Sequence, residues 1–176
     1  WQSFSGSSWT DIAGANSTTY SPSSLAEDTQ FRVQVSDMCG TVFTDPVAIT
    51  VYDDLTTPII IGAQSICFNT SPNLMSLSSI SGGAGNYSYQ WFRDGEAISG
   101  AINSIYQAPQ LISSAIYTLE VTDPCAVKLS NAITITVFED FSIGTLLGDQ
   151  DICFNTSMSQ LTAPTVTGGT MNYFYQ

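Results

Sequence analysis

An identical hexapeptide occurs twice in this chain, and the offset between its copies constrains the fold more than any other feature. Ile-Cys-Phe-Asn-Thr-Ser stands at residues 66–71 and again at 152–157, an offset of 86. The same offset relates Tyr20 to Tyr106, Leu25 to Leu111, Phe31 to Tyr117, Val35 to Val121, Asp37 to Asp123, Cys39 to Cys125, Gly82 to Gly168 and Tyr87 to Tyr173. Self-similarity at a fixed period indicates that one supersecondary unit is copied along the chain. The sequence therefore predicts a tandem array.

The repeat period changes only near the N-terminus. Trp1 matches Trp91 at an offset of 90, because the Ser- and Gly-rich stretch between Trp1 and Ile12 holds four extra residues. Extra length in a surface loop costs little free energy. We therefore expect copies of about 86–90 residues, with the additional residues in a hairpin loop.

Acidic pairs follow the last predicted strand of each copy and indicate the domain boundaries. These pairs are Asp53-Asp54 and Glu139-Asp140. We expect a first segment, 1–54, to be the C-terminal part of a repeat (strands C to G), a middle segment, 55–140, to be a complete repeat, and a last segment, 141–176, to be the N-terminal part of the next (strands A to B). The chain is then expected to be part of a longer array.

Strand signals run along the whole chain. Residues 31–35 and 133–137 alternate in polarity and are rich in β-branched side chains, which is typical of half-buried strands. No segment sustains a helical period. In the middle segment we predict strands at 65–69, 73–79, 86–93, 103–108, 115–122 and 131–138, separated by turn signals. This pattern predicts an all-β fold built from antiparallel β-sandwiches.

The middle segment has the side-chain pattern of an immunoglobulin-like domain. Trp91 takes the place of the core tryptophan of strand C, and Tyr117 and Leu119 resemble the tyrosine-corner pair of strand F. Leu77 is the expected strand-B partner of Leu119, so that a Leu–Leu contact replaces the usual disulfide between the sheets. The predicted core residues are Trp1, Trp91, Leu77, Tyr117 and Leu119. We therefore expect tandem immunoglobulin-like repeats.

The four cysteines stand at two positions of the repeat. Cys67 begins strand A and Cys125 lies in the turn between strands F and G, and both are expected at the same end of the sandwich. A Cys67–Cys125 disulfide would close a loop of about 58 residues and stabilise the fold by roughly 4 kcal/mol. It would also indicate an oxidising compartment. The alternative is a pair of free, buried thiols. Cys39 and Cys153 are expected to pair with segments outside this chain or with neighbouring chains.

Several motifs together resemble a known family. They are Ile-Cys-Phe-Asn-Thr at 66–70, Gly-Gly-Ala-Gly-Asn-Tyr-Ser-Tyr-Gln-Trp at 82–91, Tyr-x-x-x-Val-x-Asp-x-Cys at 117–125 and Ile-Thr-Val-Tyr-Asp-Asp at 49–54. The chain is similar to the immunoglobulin-like repeats of giant, SprB-type cell-surface adhesins of gliding bacteria. The resemblance implies export by the type IX secretion system and an extracellular location on the bacterial cell surface. It implies as partners neighbouring repeats of the same polypeptide, surface polysaccharide, and the gliding or secretion machinery.

Charge and composition argue against several functions. The chain has 3 Lys and Arg against 15 Asp and Glu, no His, and a formal net charge of −12. It offers no basic surface for nucleic acid or anionic lipid, and no apolar run approaches the roughly 18 residues of a membrane span. Without His, the commonest general base is missing and no serine hydroxyl is activated. We therefore expect no enzyme activity, no cofactor, no nucleic-acid partner and no membrane insertion.

The acidic pairs also suggest a weak calcium hypothesis, because hard cations take clustered carboxylates. The candidate ligands are Asp53, Asp54, Glu139 and Asp140. The ligand set is not repeated from one boundary to the next, and no Asp-x-Asp-x-Asp-Gly loop occurs. The alternative is a solvated acidic hinge that keeps neighbouring domains from sticking together, and we expect no bound metal.

Two aromatic residues of the enlarged hairpin, Phe4 and Trp9, are candidate ligand contacts. They have no counterparts in the middle segment, and exposed aromatic faces can stack on sugars. The alternative is simple packing within the hairpin. The leading function is a structural and adhesive repeat segment of a secreted filamentous adhesin, for surface attachment and gliding motility. The alternatives are a carbohydrate-binding immunoglobulin-like module and an accessory region of a secreted hydrolase.

Overall fold

Every regular element of the protein is a β-strand, and the predicted all-β fold class is confirmed. The structure is a computed structural model that describes residues 1–176, apart from the side chain of Ser5. In this described part, no helix is long and apolar enough to cross a membrane. The chain divides into two compact units, Trp1–Asp53 and Asp54–Gln176.

The first unit consists of two small antiparallel sheets. Its strands are β1 (Gln2–Ser5), β2 (Ser8–Asp11), β3 (Thr29–Arg32), β4 (Gln34–Asp37), β5 (Gly40–Phe43) and β6 (Val47–Ile49). One sheet has the order β2-β1-β3-β6, and the other is the hairpin β4-β5. The strand predicted at 31–35 is interrupted at Val33, which exchanges hydrogen bonds with Thr44: Val33 N donates to Thr44 Oγ1, and Thr44 N donates to Val33 O, both at 3.0 Å.

The second unit contains two larger sheets and one small pair of strands. Its strands are β7 (Ile59–Ile61), β8 (Gln64–Ile66), β9 (Met75–Ser79), β10 (Ser88–Arg93), β11 (Glu96–Ala97), β12 (Ile105–Tyr106), β13 (Ala115–Thr122), β14 (Val127–Leu129), β15 (Ile133–Val137), β16 (Ser142–Ile143) and β17 (Val166–Thr167). The three-stranded sheet has the order β12-β9-β7. The six-stranded sheet has the order β11-β10-β13-β15-β8, with β14 paired to β13. β16 pairs with β17, and β8 runs parallel to β15.

The strands of the middle segment differ from the sequence prediction in two informative places. The strand expected at 65–69 ends at Ile66, because Thr70 Oγ1 donates to the Cys67 carbonyl at 2.7 Å and Asn69 turns the chain with a φ of 56°. β7 is not predicted, since three consecutive isoleucines show no alternation. It nevertheless pairs with β9, across an irregular register between Ile59 and Ile60.

One hydrophobic core lies between the two larger sheets. The six-stranded sheet contributes Trp91, Tyr117, Leu119, Val121, Ile133 and Ile135, and the three-stranded sheet contributes Ile60 and Met75. Along β13 every second residue is buried, as a period of two requires. Burying one large apolar side chain contributes about 1.5–3 kcal/mol. The arrangement is consistent with a β-sandwich.

Of the predicted core residues, Trp91, Tyr117 and Leu119 are fully buried in this core, and Leu77 is half-buried against it. Trp91 is held in place by a hydrogen bond from its Nε1 to the Asn103 carbonyl at 2.9 Å. The Tyr117 hydroxyl is buried without a hydrogen-bond partner. The backbone bond that defines a tyrosine corner is therefore not made, which corrects that part of the resemblance.

Three aromatic rings form a ladder in the core of the middle segment. Ring centroids are 5.9 Å apart between Trp91 and Tyr106 and 6.1 Å apart between Tyr106 and Tyr117. The first unit has the same ladder at the counterpart positions: Trp1 to Tyr20 is 5.8 Å and Tyr20 to Phe31 is 6.0 Å. Half-buried Trp1 also donates from Nε1 to the Ser17 carbonyl at 3.0 Å. The same spacing of aromatic rings therefore occurs at the two sets of positions that the sequence repeat relates.

Candidate functional site

The start of the second unit meets a glycine turn, and we call this contact the first joint (residues 54–56 with 81–83). Thr56 N donates to the Ser81 carbonyl at 2.9 Å. Gly82 has a φ of 81° and lies so close to the Asp54 carbonyl oxygen that a Cβ atom would overlap it. Only glycine satisfies both demands, because it lacks a Cβ and accepts a positive φ.

A buried carboxylate fastens the turn after β13 to this joint. Asp123 accepts backbone hydrogen bonds from Ala84 at 2.5 Å, Ala126 at 2.7 Å and Cys125 at 3.0 Å. Burial alone would raise the pKa of Asp123, but these three N–H donors lower it by more, so the pKa lies below its ordinary value. Asp123 therefore acts as an ionised clamp between two loops.

The same glycine turn recurs where the middle segment meets the last segment, at the second joint (residues 139–142 with 167–169). Gly168, with a φ of 74°, lies against the Asp140 carbonyl, and Gly169 N donates to the Glu139 carbonyl at 2.9 Å. Tyr173 Oη donates to the Gly168 carbonyl at 2.7 Å. At the first joint, the Tyr87 hydroxyl makes the matching bond at 2.6 Å.

An open groove of about 450 Å³ lies beside the second joint. Its lining includes Cys67, Phe141, Gly169, Thr170 and Tyr173. The rings of Phe141 and Tyr173 lie 5.8 Å apart, so the groove has an aromatic wall. The exposed thiol of Cys67 also lies in this lining.

The structure places Cys67 and Cys125 at opposite ends of the middle segment, so the predicted disulfide between them is wrong. Cys67 follows β8, whose last residue pairs with Val137 at the end of β15. β13 runs antiparallel to β15, and Cys125 lies in the turn beyond its far end. At about 3.3 Å per residue the two Cα atoms are roughly 30 Å apart, whereas a disulfide spans about 6 Å. Cys39, Cys67, Cys125 and Cys153 are all free and exposed, which also rules out buried thiols.

The candidate ligand contacts Phe4 and Trp9 face each other across the β1–β2 hairpin. Their ring centroids are 5.3 Å apart. The guanidinium carbon of Arg32 lies 4.2 Å above the Trp9 ring and 4.1 Å from the Phe43 ring centroid. Arg32 Nε also donates to Gln2 Oε1 at 2.7 Å. One face of Trp9 is thus covered by a cation, which sequence reasoning missed because Arg32 is distant along the chain.

The calcium candidates Asp53, Asp54, Glu139 and Asp140 are all exposed. Asp54 Oδ2 lies 3.3 Å from Lys128 Nζ, a surface ion pair. Among the side chains that the structure describes, no three His, Cys, Asp or Glu residues lie close enough together to hold a metal ion. The structure therefore gives the calcium hypothesis no support.

Sequence reasoning also missed the role of Asp123 and the groove beside Cys67. The signal for Asp123 was present, since Asp-x-Cys occurs at 37–39 and again at 123–125. Asp and Asn side chains often bind backbone N–H groups two or three residues ahead. The N–H of Ala84 could not be foreseen, because it comes from another loop.

These elements define an all-β protein whose sheets are antiparallel apart from the parallel pairing of β8 with β15. The chain belongs to the family described as Domain of unknown function (DUF8696), whose model matches residues 1–53 and 56–139. Each matched range ends at one of the acidic pairs. No curated protein matches the chain.

Proposed function

We propose that the protein is a structural and adhesive segment of a secreted, filamentous bacterial cell-surface adhesin that serves surface attachment and gliding motility. The observation that carries this proposal is that the chain enters and leaves the middle segment at opposite ends of it. Asp54 lies against Gly82, at the end that holds the turn after β13. Phe138 lies beside Ile66, at the opposite end. A repeat whose first and last residues lie at opposite ends suits a filament.

The pairing of β8 with β15 suits a load-bearing domain. The two strands run parallel, with Gln64 opposite Ile135 and Ile66 opposite Val137. Phe138 N adds a bond to the Ile66 carbonyl at 2.9 Å. Tension along the long axis of the domain would shear these bonds together rather than open them one by one, because the strands lie along that axis. Shearing several bonds at once needs more force than opening them in turn.

The charge of the chain fits an extended extracellular polymer. A net charge of −12 makes copies repel one another and discourages non-specific association. The exposed acidic pairs lie at the C-terminal ends of the matched ranges, where like charge would discourage neighbouring repeats from sticking together. In this proposal the partners are neighbouring repeats, surface polysaccharide and the gliding or secretion machinery.

Single-molecule stretching of the chain, held at both ends, tests the load-bearing role. We expect one high-force unfolding event with the contour length of the middle segment. Phe138→Pro removes the N–H donor and should lower the peak force. Phe138→Ala keeps that donor and is the matched control. A wild-type peak force no higher than that of Phe138→Pro would contradict the proposal.

Adhesion itself is tested with beads coated with the protein. Coated beads should remain on glass and on polysaccharide films under flow that removes beads coated with an unrelated acidic protein. Equal detachment of the two kinds of bead would contradict an adhesive role and leave only a spacer.

A carbohydrate-binding module is the second candidate, and the half-exposed Phe4–Trp9 pair favours it. A glycan array with the wild type and Trp9→Ala distinguishes this candidate, with Phe154→Ala as a control because Phe154 is fully exposed elsewhere. Binding that is lost only in Trp9→Ala supports it, and an array without signal contradicts it.

A further inference from the structure

The chain enters the middle segment on one sheet and leaves it from the other. Its first strand, β7, belongs to the three-stranded sheet, and its last core strand, β15, belongs to the six-stranded sheet. Between β7 and β8 the chain changes sheets at Gly62, whose φ of 123° and close approach to Met75 favour glycine. Tension applied at the two ends of the middle segment must therefore pass from one sheet to the other.

The side-chain amide of Asn131 ties β7 to the second sheet. Asn131 stands just before β15, and its Oδ1 accepts the N–H of Ile60 at 2.8 Å. Its Nδ2 donates to the Ile60 carbonyl at 3.1 Å. These are the two hydrogen bonds that a neighbouring strand makes to one residue. Because β7 is the edge strand of its sheet, the amide takes the place of a strand on the outer side of β7.

Asn131 also stands where the parallel ladder of β8 and β15 would continue. Gln64 pairs with Ile135 at the start of that ladder. Ile60 and Asn131 each lie four residues earlier, so they keep the same register. Backbone pairing with β15 starts only at Gln64, because β7 pairs with β9 in the other sheet. The longer reach of a side chain closes this gap and adds one more link to the ladder.

A second amide makes the reciprocal link. Gln64 lies in β8, on the six-stranded sheet, and its side chain reaches Asn73, which stands just before β9 of the three-stranded sheet. Gln64 Oε1 accepts the Asn73 N–H at 2.9 Å, and its Nε2 donates to the Asn73 carbonyl at 3.3 Å. The same pair of bonds recurs 86 residues later, where Gln150 accepts the Ser159 N–H at 2.7 Å and donates to the Ser159 carbonyl at 3.4 Å.

We propose that Asn131 and Gln64 transfer tension between the two sheets of the middle segment, so that β7, β8 and β15 resist it as one unit. This inference rests on the proposed mechanical function and names the residues that couple the sheets. Without the Asn131 amide, tension that enters at Asp54 detaches Ile60 first and then acts on the β8–β15 ladder alone. Bonds loaded together share the force, whereas bonds loaded in turn each carry all of it.

Stretching at constant force in two directions tests this. In the first direction the chain is held at its two ends, so that tension enters through β7. In the second it is held at the exposed Cys67 and Cys125, with Cys39→Ser and Cys153→Ser, so that tension enters after β8 and bypasses β7. Asn131→Ala should shorten the folded lifetime of the middle segment about tenfold in the first direction, because it removes two hydrogen bonds. It should change that lifetime much less in the second.

Two further variants separate tension transfer from general stability. Ser130→Ala removes the hydroxyl that accepts the N–H of Leu119, which weakens the sheet beside Asn131 without touching β7. It should shorten the folded lifetime by a similar factor in both directions. Asn131→Asp keeps an acceptor for the Ile60 N–H and loses the donor, so its effect in the first direction should be intermediate. The counterpart position already carries aspartate, Asp45, so this variant should fold.

Two outcomes would overturn the inference. One is that Asn131→Ala shortens the folded lifetime equally in both directions, and the other is that it matches the wild type in the first direction. Either outcome leaves the proposed role of the β8–β15 pairing untouched, because that role is tested separately by the peak force of Phe138→Pro.

Discussion

The carboxylate of Asp123 accepts a hydrogen bond from the backbone N–H of Ala84, 39 residues earlier in the chain, and so ties two loops at one end of the domain. The same carboxylate holds the turn that carries Cys125. This clamp and the glycine turn beside it form the end at which the second unit begins.

Removing the charge of Asp123 should alter the acid stability of the protein. The pKa of Asp123 in the folded state lies below its unfolded value of about 4. The ionised carboxylate therefore stabilises the fold fully above about pH 4, and this stabilisation is lost as the pH falls through the folded-state pKa. Asp123→Asn should be less stable at neutral pH and lose less stability between about pH 5 and pH 2. Denaturant unfolding at several pH values measures this. Asp149→Asn, at an exposed position, is the control, and parallel pH profiles of Asp123→Asn and wild type would contradict the clamp.

Gly82 should tolerate no side chain. Gly82→Ala combines a positive φ with an overlap against the Asp54 carbonyl, and should destabilise the second unit by at least about 3 kcal/mol. Gly100→Ala is a matched control, since its φ of 77° is similar and nothing lies within 4 Å of the added Cβ. It should cost only about 1 kcal/mol. Equal losses of unfolding free energy would show that the close approach to Asp54 is unimportant.

The unpaired hydroxyl of Tyr117 should be dispensable. Burial raises the pKa of Tyr117, and its oxygen has no hydrogen-bond partner, so the folded state carries an uncompensated desolvation cost. Tyr117→Phe should leave stability unchanged or raise it by about 1 kcal/mol, as the phenylalanine at counterpart position Phe31 suggests. Thermal and denaturant unfolding both measure this. A loss of more than about 1 kcal/mol would indicate a hydrogen bond through an ordered water.

Arg32 should stabilise the hairpin through the Trp9 ring. A cation over an aromatic face contributes about 0.5–1 kcal/mol at a partly exposed site. Arg32→Gln should therefore lower the stability of the first unit by that amount and change the Trp9 fluorescence. Trp9→Phe keeps an aromatic face and serves as the comparison. Unchanged fluorescence in Arg32→Gln would mean that the stacked geometry is not populated in solution.

Much of the fold was predictable because its signals are local. The alternation in residues 133–137 reports one buried and one exposed face, and β15 forms there with that burial pattern. Trp91 stands in a strand flanked by turn signals, and it is buried in the core. The sequence did not predict β7, because three consecutive isoleucines show no alternation of polar and apolar residues. Its pairing with β9 depends on residues 75–79, which are distant along the chain.

The positions of the cysteines and the partners of Asp123 were not predictable, for a different reason. Spacing along the chain says that Cys67 follows a strand, but the end of the domain at which it lies depends on the parallel pairing of β8 with β15. Arg32 likewise meets Trp9 only through the register of β1 with β2 and β3. Register is a property of two strands together, and a short window of sequence contains only one of them.

The sequence thus determined, by itself, the all-β fold class and the residue types that fill the core, and its hexapeptide at an offset of 86 predicts a chain of copied units. Only the tertiary structure decided that Cys67 lies at the far end from Cys125, beside the second joint. Periodicity and composition reflect residues that are close along the chain, whereas the meeting of two loops follows from strand pairing between distant residues.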